Sequence, residues 1–274
     1  MTYEYPGDGA LDYLPCRYGQ SKLLFRGPRR QLDGQYFAVL GGTETYGKFV
    51  EIPYPSLLEG TLGIPVVNFG YLNAGADVFL NDPSIIRSCN GARATVIQLT
   101  GAHNLSNRFY AVHPRRNDRF LRASTLMKTV FREVDFTEFH FTRHMLSALK
   151  ERAPEKFAIL VEELRSAWVA RMRSLLQRIE GETVLLWISD GHAALPDRDA
   201  LGPEPLLVDE EMVDEIRPYA SRLVKVAPSR DARDAGTQGM HFAPLDALAA
   251  TRLPGPRVHQ EVADALAPFL KSLV

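Results

Sequence analysis

A chain of 274 residues with 45% hydrophobic and 24% charged side chains can bury a sizeable core, which excludes a disordered or fibrous protein. Lysine and arginine total 32 against 33 aspartates and glutamates, so a net charge of -1 offers neither nucleic acid nor an anionic membrane a general attraction. Two cysteines, Cys16 and Cys89, are too few and too far apart for a disulfide framework or a cysteine-based zinc site, and they fit a reducing cytoplasm.

The opening stretch Met1 to Gly7 has no basic region followed by an apolar run, so no secretory signal is expected. No segment approaches the ~18 uninterrupted apolar residues of a membrane span. Residues 1–35 are expected to form an N-terminal arm on a single domain covering 36–274. From Cys16 to Arg30 that arm carries Arg17, Lys22, Arg26, Arg29 and Arg30 with no acidic residue, among Tyr18, Gly19, Gly27 and Pro28. Arginines in an ordered loop can grip a phosphate, sulfate or carboxylate with bidentate hydrogen bonds. The plainer expectation is that they pair with carboxylates of the domain they embrace. Arg115, Arg116 and Arg119 form a second small set.

Five apolar, β-branched runs follow in order: Tyr36-Leu40, Pro65-Phe69, Ala94-Leu99, Thr183-Ser189 and Leu223-Ala227. Strands covered by helices on both faces read this way, which predicts a parallel sheet built from β-α-β units. Between the first two runs, Pro55 to Glu59 predicts a short helix closed near Gly63. Asp77 to Cys89 predicts helix interrupted at Pro83. The interval 117–180 is predicted helical, divided at Pro154, with Phe157, Leu160, Val161, Leu164, Trp168, Met172, Leu175 and Ile179 on one stripe. Such a stripe predicts a packed crossover helix in preference to a lid. The last helix opens at Pro256 and carries Val258, Val262, Ala265, Leu266, Phe269 and Leu273 toward the sheet.

In an open parallel sheet, ligands bind beyond the carboxyl ends of the strands. The first strand is followed there by Gly41-Gly42-Thr43-Glu44-Thr45-Tyr46-Gly47. The second ends in Asn68-Phe69-Gly70-Tyr71-Leu72-Asn73-Ala74-Gly75, and the third leads to Gly101-Ala102-His103-Asn104.

These blocks resemble, in order and placement, those of the SGNH, or GDSL, hydrolase superfamily. The first is similar to Gly-Asp-Ser-x-x-x-Gly, with Thr43 at the nucleophile position; Asn68-x-Gly70 is similar to the strand-end Asn-x-Gly. Gly101 to Asn104 is similar to Gly-x-Asn-Asp with its identities shifted, and His259 stands where that family has its C-terminal histidine. The resemblance implies a three-layer, flavodoxin-like α/β fold with a five-stranded parallel sheet, here with a helical insertion. It implies catalysis by Thr43 with His259 as base; Asp190, at the end of the fourth strand, and Glu44 are the candidates to orient that base. Oxyanion and substrate contacts fall to Gly42, Asn68, Gly70, His103 and Asn104. Three positions depart from the family: Gly42 replaces aspartate, Thr43 replaces serine, and Pro256 stands where an aspartate precedes the histidine.

A threonine hydroxyl attacks a carbonyl once a base removes its proton, although its methyl group stiffens χ1 and crowds the approach. The asparagines have a structural alternative, which is to tie loops together through side-chain hydrogen bonds. The residues therefore support three readings: an ester- or acyl-acting enzyme, a group transferase gripping an anionic donor, and a catalytically degenerate relative that binds a ligand or protein. A small, possibly anionic substrate is expected, with no cofactor, nucleic acid or membrane partner; a homo-oligomer is compatible. His140 and His144 have helical i,i+4 spacing but no third ligand nearby, so no metal site is expected.

Overall fold

The structure is a computed structural model in which residues 11–189 and 201–274 are described. The chain runs β1 (Phe37–Gly41), the one-turn helix α1 (Thr43–Tyr46), α2 (Tyr54–Leu62), β2 (Val66–Gly70), α3 (Ala76–Leu80), α4 (Pro83–Asn90) and β3 (Ala94–Gln98). A hairpin of β4 (Tyr110–His113) and β5 (Arg116–Ala123) leads into α5 (Thr125–Val130), α6 (Thr142–Arg152) and α7 (Pro154–Arg178). Then come β6 (Glu182–Ile188), α8 (Glu210–Ile216), β7 (Arg222–Val226), α9 (Arg230–Ala235), α10 (Ala247–Ala250) and α11 (Pro256–Lys271).

Five strands pair in parallel in the order β2-β1-β3-β6-β7, the three-layer arrangement that the resemblance implies. Strand order reverses direction between β1 and β3, the switch point beyond whose carboxyl ends open α/β sheets form their ligand crevice. Alternate strand residues feed the two faces. Phe37, Val39, Val66, Val96 and Val184 meet Tyr54 and Leu58 of α2 and Val262 and Leu266 of α11. Ala38, Leu40, Val67, Phe69, Ile97 and Leu185 meet Val78 of α3, Ile85 of α4, Trp168 and Met172 of α7 and Val213 of α8.

Local chemistry sets the helix ends. Gly63 closes α2 at φ 67°, in the left-handed region that favours glycine. Asp82 accepts hydrogen bonds from the backbone of Ser84 and Ile85 to cap α4, with Pro83 in its first turn, and Pro256 occupies the first turn of α11. Pro154 separates α6 from α7 as expected. Trp168 is fully buried and its indole N–H donates to the Thr100 carbonyl at 2.8 Å, so α7 packs as the crossover between β3 and β6.

The insertion departs from expectation at its start. Residues 116–123 form a strand rather than a helix, paired antiparallel with β4 through two register shifts. Asn117, Phe120 and Ala123 turn inward while their neighbours stay exposed or partly so. Pairing with β4 and burial of Phe120 against Tyr110 and Phe136 override the helical appearance of this arginine-rich stretch. In the arm, Cys16 and Phe25 form an antiparallel bridge, and the Tyr18 and Phe25 rings stand edge-on to Phe69. Among the described residues no helix is long and apolar enough to cross a membrane.

Candidate functional site

Gly41 ends β1 where the chain turns into α1. A Cβ there would stand 2.0 Å from Thr45 Oγ1, so the close approach demands glycine. Thr43 opens α1 half-buried, at the carboxyl edge of the sheet. The Asn73 backbone N–H donates to Thr43 Oγ1 at 2.9 Å, and the Thr43 hydroxyl faces Asn73 Oδ1 at 3.3 Å. Asn73 holds this position at φ 53°, a left-handed conformation that asparagine tolerates better than most residues. Its Nδ2 donates to Asp118 of β5 at 3.3 Å, and its carbonyl accepts from Asn104 Nδ2 at 3.1 Å. The hairpin thus braces the turn that holds the Thr43 hydroxyl.

The strand-end residues named from sequence do come together here, largely by bonding one another. Asn68 Oδ1 accepts from the Gly70 N–H at 2.8 Å, and Asn68 Nδ2 donates to the Thr45 carbonyl at 2.9 Å. The Gly42 N–H donates to Gln98 Oε1 at 2.9 Å. Asn104 is buried, held between the Asn73 carbonyl and the Thr142 hydroxyl, which donates to its Oδ1 at 2.8 Å. His103 is buried beside Gly101, and its carbonyl accepts from the Tyr110 hydroxyl at 2.7 Å.

Gln98 organises the β3 side of the crevice. Its Oε1 also accepts from the Thr45 hydroxyl at 2.6 Å, and its Nε2 donates to Glu44 Oε2 at 3.0 Å. Burial raises the proton affinity of Glu44 above the ordinary carboxylate range. The Gln98 donor opposes that rise, nearby Glu204 reinforces it, and Arg143 opposes it more weakly. Arg143 of α6 and Glu204 are paired with each other.

His259 is reached from this turn through Tyr54, whose hydroxyl contacts Thr45 Oγ1 at 2.7 Å. It is buried between α11 and α2, where its Nδ1 accepts the Tyr54 N–H at 3.1 Å and its ring stacks on Tyr54 with centroids 5.8 Å apart. Burial, and secondarily the Arg26 charge, push its pKa down to about 3. An imidazole with so little proton affinity is a poor general base near neutral pH. Its bond to Tyr54 anchors α2 to α11, and the Thr43 hydroxyl is bonded to Asn73.

His241 is a histidine that the sequence motifs do not single out. Its N–H donates to the Phe49 carbonyl at 2.8 Å, and the Lys48 N–H contacts the Thr43 carbonyl at 3.4 Å. Two hydrogen bonds and the Lys48–Phe49 peptide therefore link it to the Thr43 turn. Its imidazole is exposed, with Nε2 3.7 Å from Glu51. The glycine-bracketed segment Gly236 to Gly239 just before it was the available signal of a loop reaching over the sheet edge. Asp190 and His192 lie outside the described residues.

The arginine cluster does not form one open anion site. Arg26 is buried and donates to the carbonyls of Tyr46, Gly47 and Glu51. Arg30 makes a bidentate pair with Glu59, and Arg29 lies over the Tyr18 ring. Arg17 and Lys22 are exposed. Arg30 thus meets a carboxylate of the domain, while Arg26 is held by backbone carbonyls. Among the described residues no group of three or more His, Cys, Asp or Glu could hold a metal ion.

In solved structures, the chain is similar to a catalytic mutant of Axe2, an acetylxylan esterase from Geobacillus stearothermophilus, at 14% identity over 88% of this chain and 94% of that one, with a TM-score of 0.45. It is similar to a family two carbohydrate esterase from Clostridium thermocellum at 11% identity over 91% and 67%, TM-score 0.44. It is also similar to a putative lipolytic protein of the G-D-S-L family from Desulfitobacterium hafniense DCB-2 at 12% identity over 88% and 100%, TM-score 0.35. No curated protein matches the chain. The family model described as "Domain of unknown function (DUF6473)" matches residues 1–274, and the chain belongs to that family.

Proposed function

We propose that this protein is an SGNH-like enzyme that acts on an ester or acyl group, with the Thr43 hydroxyl as the attacking oxygen. The observation that carries this reading is the placement of that hydroxyl. It stands half-buried at the end of β1, beside the crevice where strand order reverses, and Asn73 fixes its direction through one backbone and one side-chain contact. His241 is the base in this reading, replacing His259, because it is the exposed imidazole tied to the same turn and Glu51 stands next to it.

The test is turnover of para-nitrophenyl acetate and a panel of acetyl esters by the whole chain and three variants. Thr43→Ala and His241→Ala are expected to lose activity by at least about 100-fold. His259→Ala is expected to retain it per folded molecule. Wild-type rates in Thr43→Ala would remove the reading.

One observation favours a second reading, a binding relative without turnover: the amides of Gly42 and Gly70 and the side chain of Asn104 are all bonded within the protein. Thermal-shift screening against the same esters separates the two. Stabilisation without hydrolysis would select the binding relative.

A further inference from the structure

An acyl-transfer site needs hydrogen-bond donors where negative charge develops on the carbonyl oxygen. Here Gly42 gives its N–H to Gln98, Gly70 gives its N–H to Asn68, and Asn104 is held between Asn73 and Thr142. Both glycine amides are committed, which leaves the second N–H of Asn104 Nδ2 as the donor those groups could still offer.

Glu44 could supply a further donor. Its Oε2 lies 2.8 Å from the point where a Cβ on Gly42 would stand, so its carboxyl fills the space that a side chain at position 42 would take. Gln98 Nε2 donates to that oxygen, and the Glu44 backbone N–H also bonds the carboxyl. The other charged groups bearing on Glu44 are Glu204, ahead of α8, and Arg143 of α6, which are paired with each other. The Glu204 charge disfavours ionisation of Glu44, and the Arg143 charge opposes that more weakly.

We propose that the Glu44 carboxyl is the acid of this crevice, presenting its O–H to the carbonyl oxygen of a bound ester or acyl group. The proposal rests on the acyl reading above for the identity of that oxygen. As Thr43 Oγ bonds to the carbonyl carbon, the π electron pair moves onto oxygen and the Glu44 O–H is shared with it. When the double bond re-forms, the proton stays with Glu44 and the C–O bond to the alcohol breaks. The alcohol leaves with the proton that the base took from Thr43. Glu44 ends as it began, and atoms and charge balance.

Two readouts test this on the full-length protein. The first follows the carboxyl carbons of ¹³C-labelled glutamate by NMR across pH, with Glu44→Gln assigning the signal. Glu44 is expected to titrate above the ordinary glutamate range, and Glu204→Gln is expected to move that midpoint down. Ionisation at ordinary carboxylate pH overturns the proposal, even if an ester is turned over. The second readout is the pH profile of kcat/KM on para-nitrophenyl acetate. The wild type should lose activity above the Glu44 midpoint. Glu44→Gln should lack that limb and keep about a tenth of the rate, because its amide still donates, whereas Glu44→Ala should fall about 100-fold. Equal rates in all three overturn the proposal. Complete absence of ester turnover instead defeats the acyl reading, a failure distinct from a normal Glu44 titration.

Discussion

Two polar clusters lie close together near the carboxyl edge of this sheet and behave in opposite ways. In one, between the arm, α2 and α11, Arg26 and His259 are buried and their bonds run to backbone groups of Tyr46, Gly47, Glu51 and Tyr54. In the other, Thr43 and Glu44 carry equally reactive groups but remain half-buried, oriented by Asn73 and Gln98. A hydrogen-bond chain joins them: Tyr54 and Thr45 share a 2.7 Å contact, and Thr45 donates to Gln98. Residue type therefore does not mark the functional cluster. What separates them is burial: Arg26 and His259 are buried, whereas Thr43 and Glu44 keep part of their surface exposed.

The sharpest way to break this comparison is the pH dependence of stability. His259 has its folded pKa pushed down to about 3 from 6.5, so below pH 6.5 the unfolded chain binds a proton that the folded chain refuses. The stability that neutral His259 contributes is present above pH 6.5 and is lost as pH falls toward 3, at about 1.4 kcal/mol per pH unit. Urea unfolding across that window should show the slope in the wild type, on top of that from other groups. His259→Asn, which keeps an acceptor for the Tyr54 N–H, should flatten it. An unchanged slope in that variant would contradict the closed character of the cluster.

Next in size is Arg26→Met. Removing the guanidinium strands three backbone carbonyls and is expected to cost about 3 kcal/mol in urea unfolding. It should leave ester turnover per folded molecule within about twofold if the two clusters are functionally distinct. A smaller effect is expected for Asn73→Gly, which tolerates φ 53° and keeps the backbone donor but loses the Oδ1 contact. Stability should shift by less than about 1 kcal/mol while kcat falls about tenfold with KM little changed. A matching fall in stability would make Asn73 a scaffold residue like Asn68.

All five sheet strands were legible in the sequence because each is a short apolar run sealed on both faces. Gly63, Pro83, Pro154 and Pro256 marked helix ends by their backbone chemistry. The hairpin at 110–123 was not legible: its second strand reads Arg116-Asn117-Asp118-Arg119, and only pairing with β4 makes that polar stretch extended. Thr43 and Glu44 could be flagged from their place after a strand. For His259, helix position reveals where an imidazole begins but not what buries it. Gln98 offered a faint signal as a polar residue late in an apolar run, and its three partners at the site emerge only in three dimensions.

The central claim is that the Thr43 hydroxyl, rather than the buried histidine cluster, forms the bond to the acyl carbon. Rapid acid quenching during turnover of para-nitrophenyl acetate, followed by peptide mass spectrometry, reads this directly. The account predicts an acetyl group on the Thr43 peptide in the wild type, accumulating further in His241→Ala and absent in Thr43→Ala. Turnover that proceeds in Thr43→Ala, or acetylation confined to other residues, would contradict it.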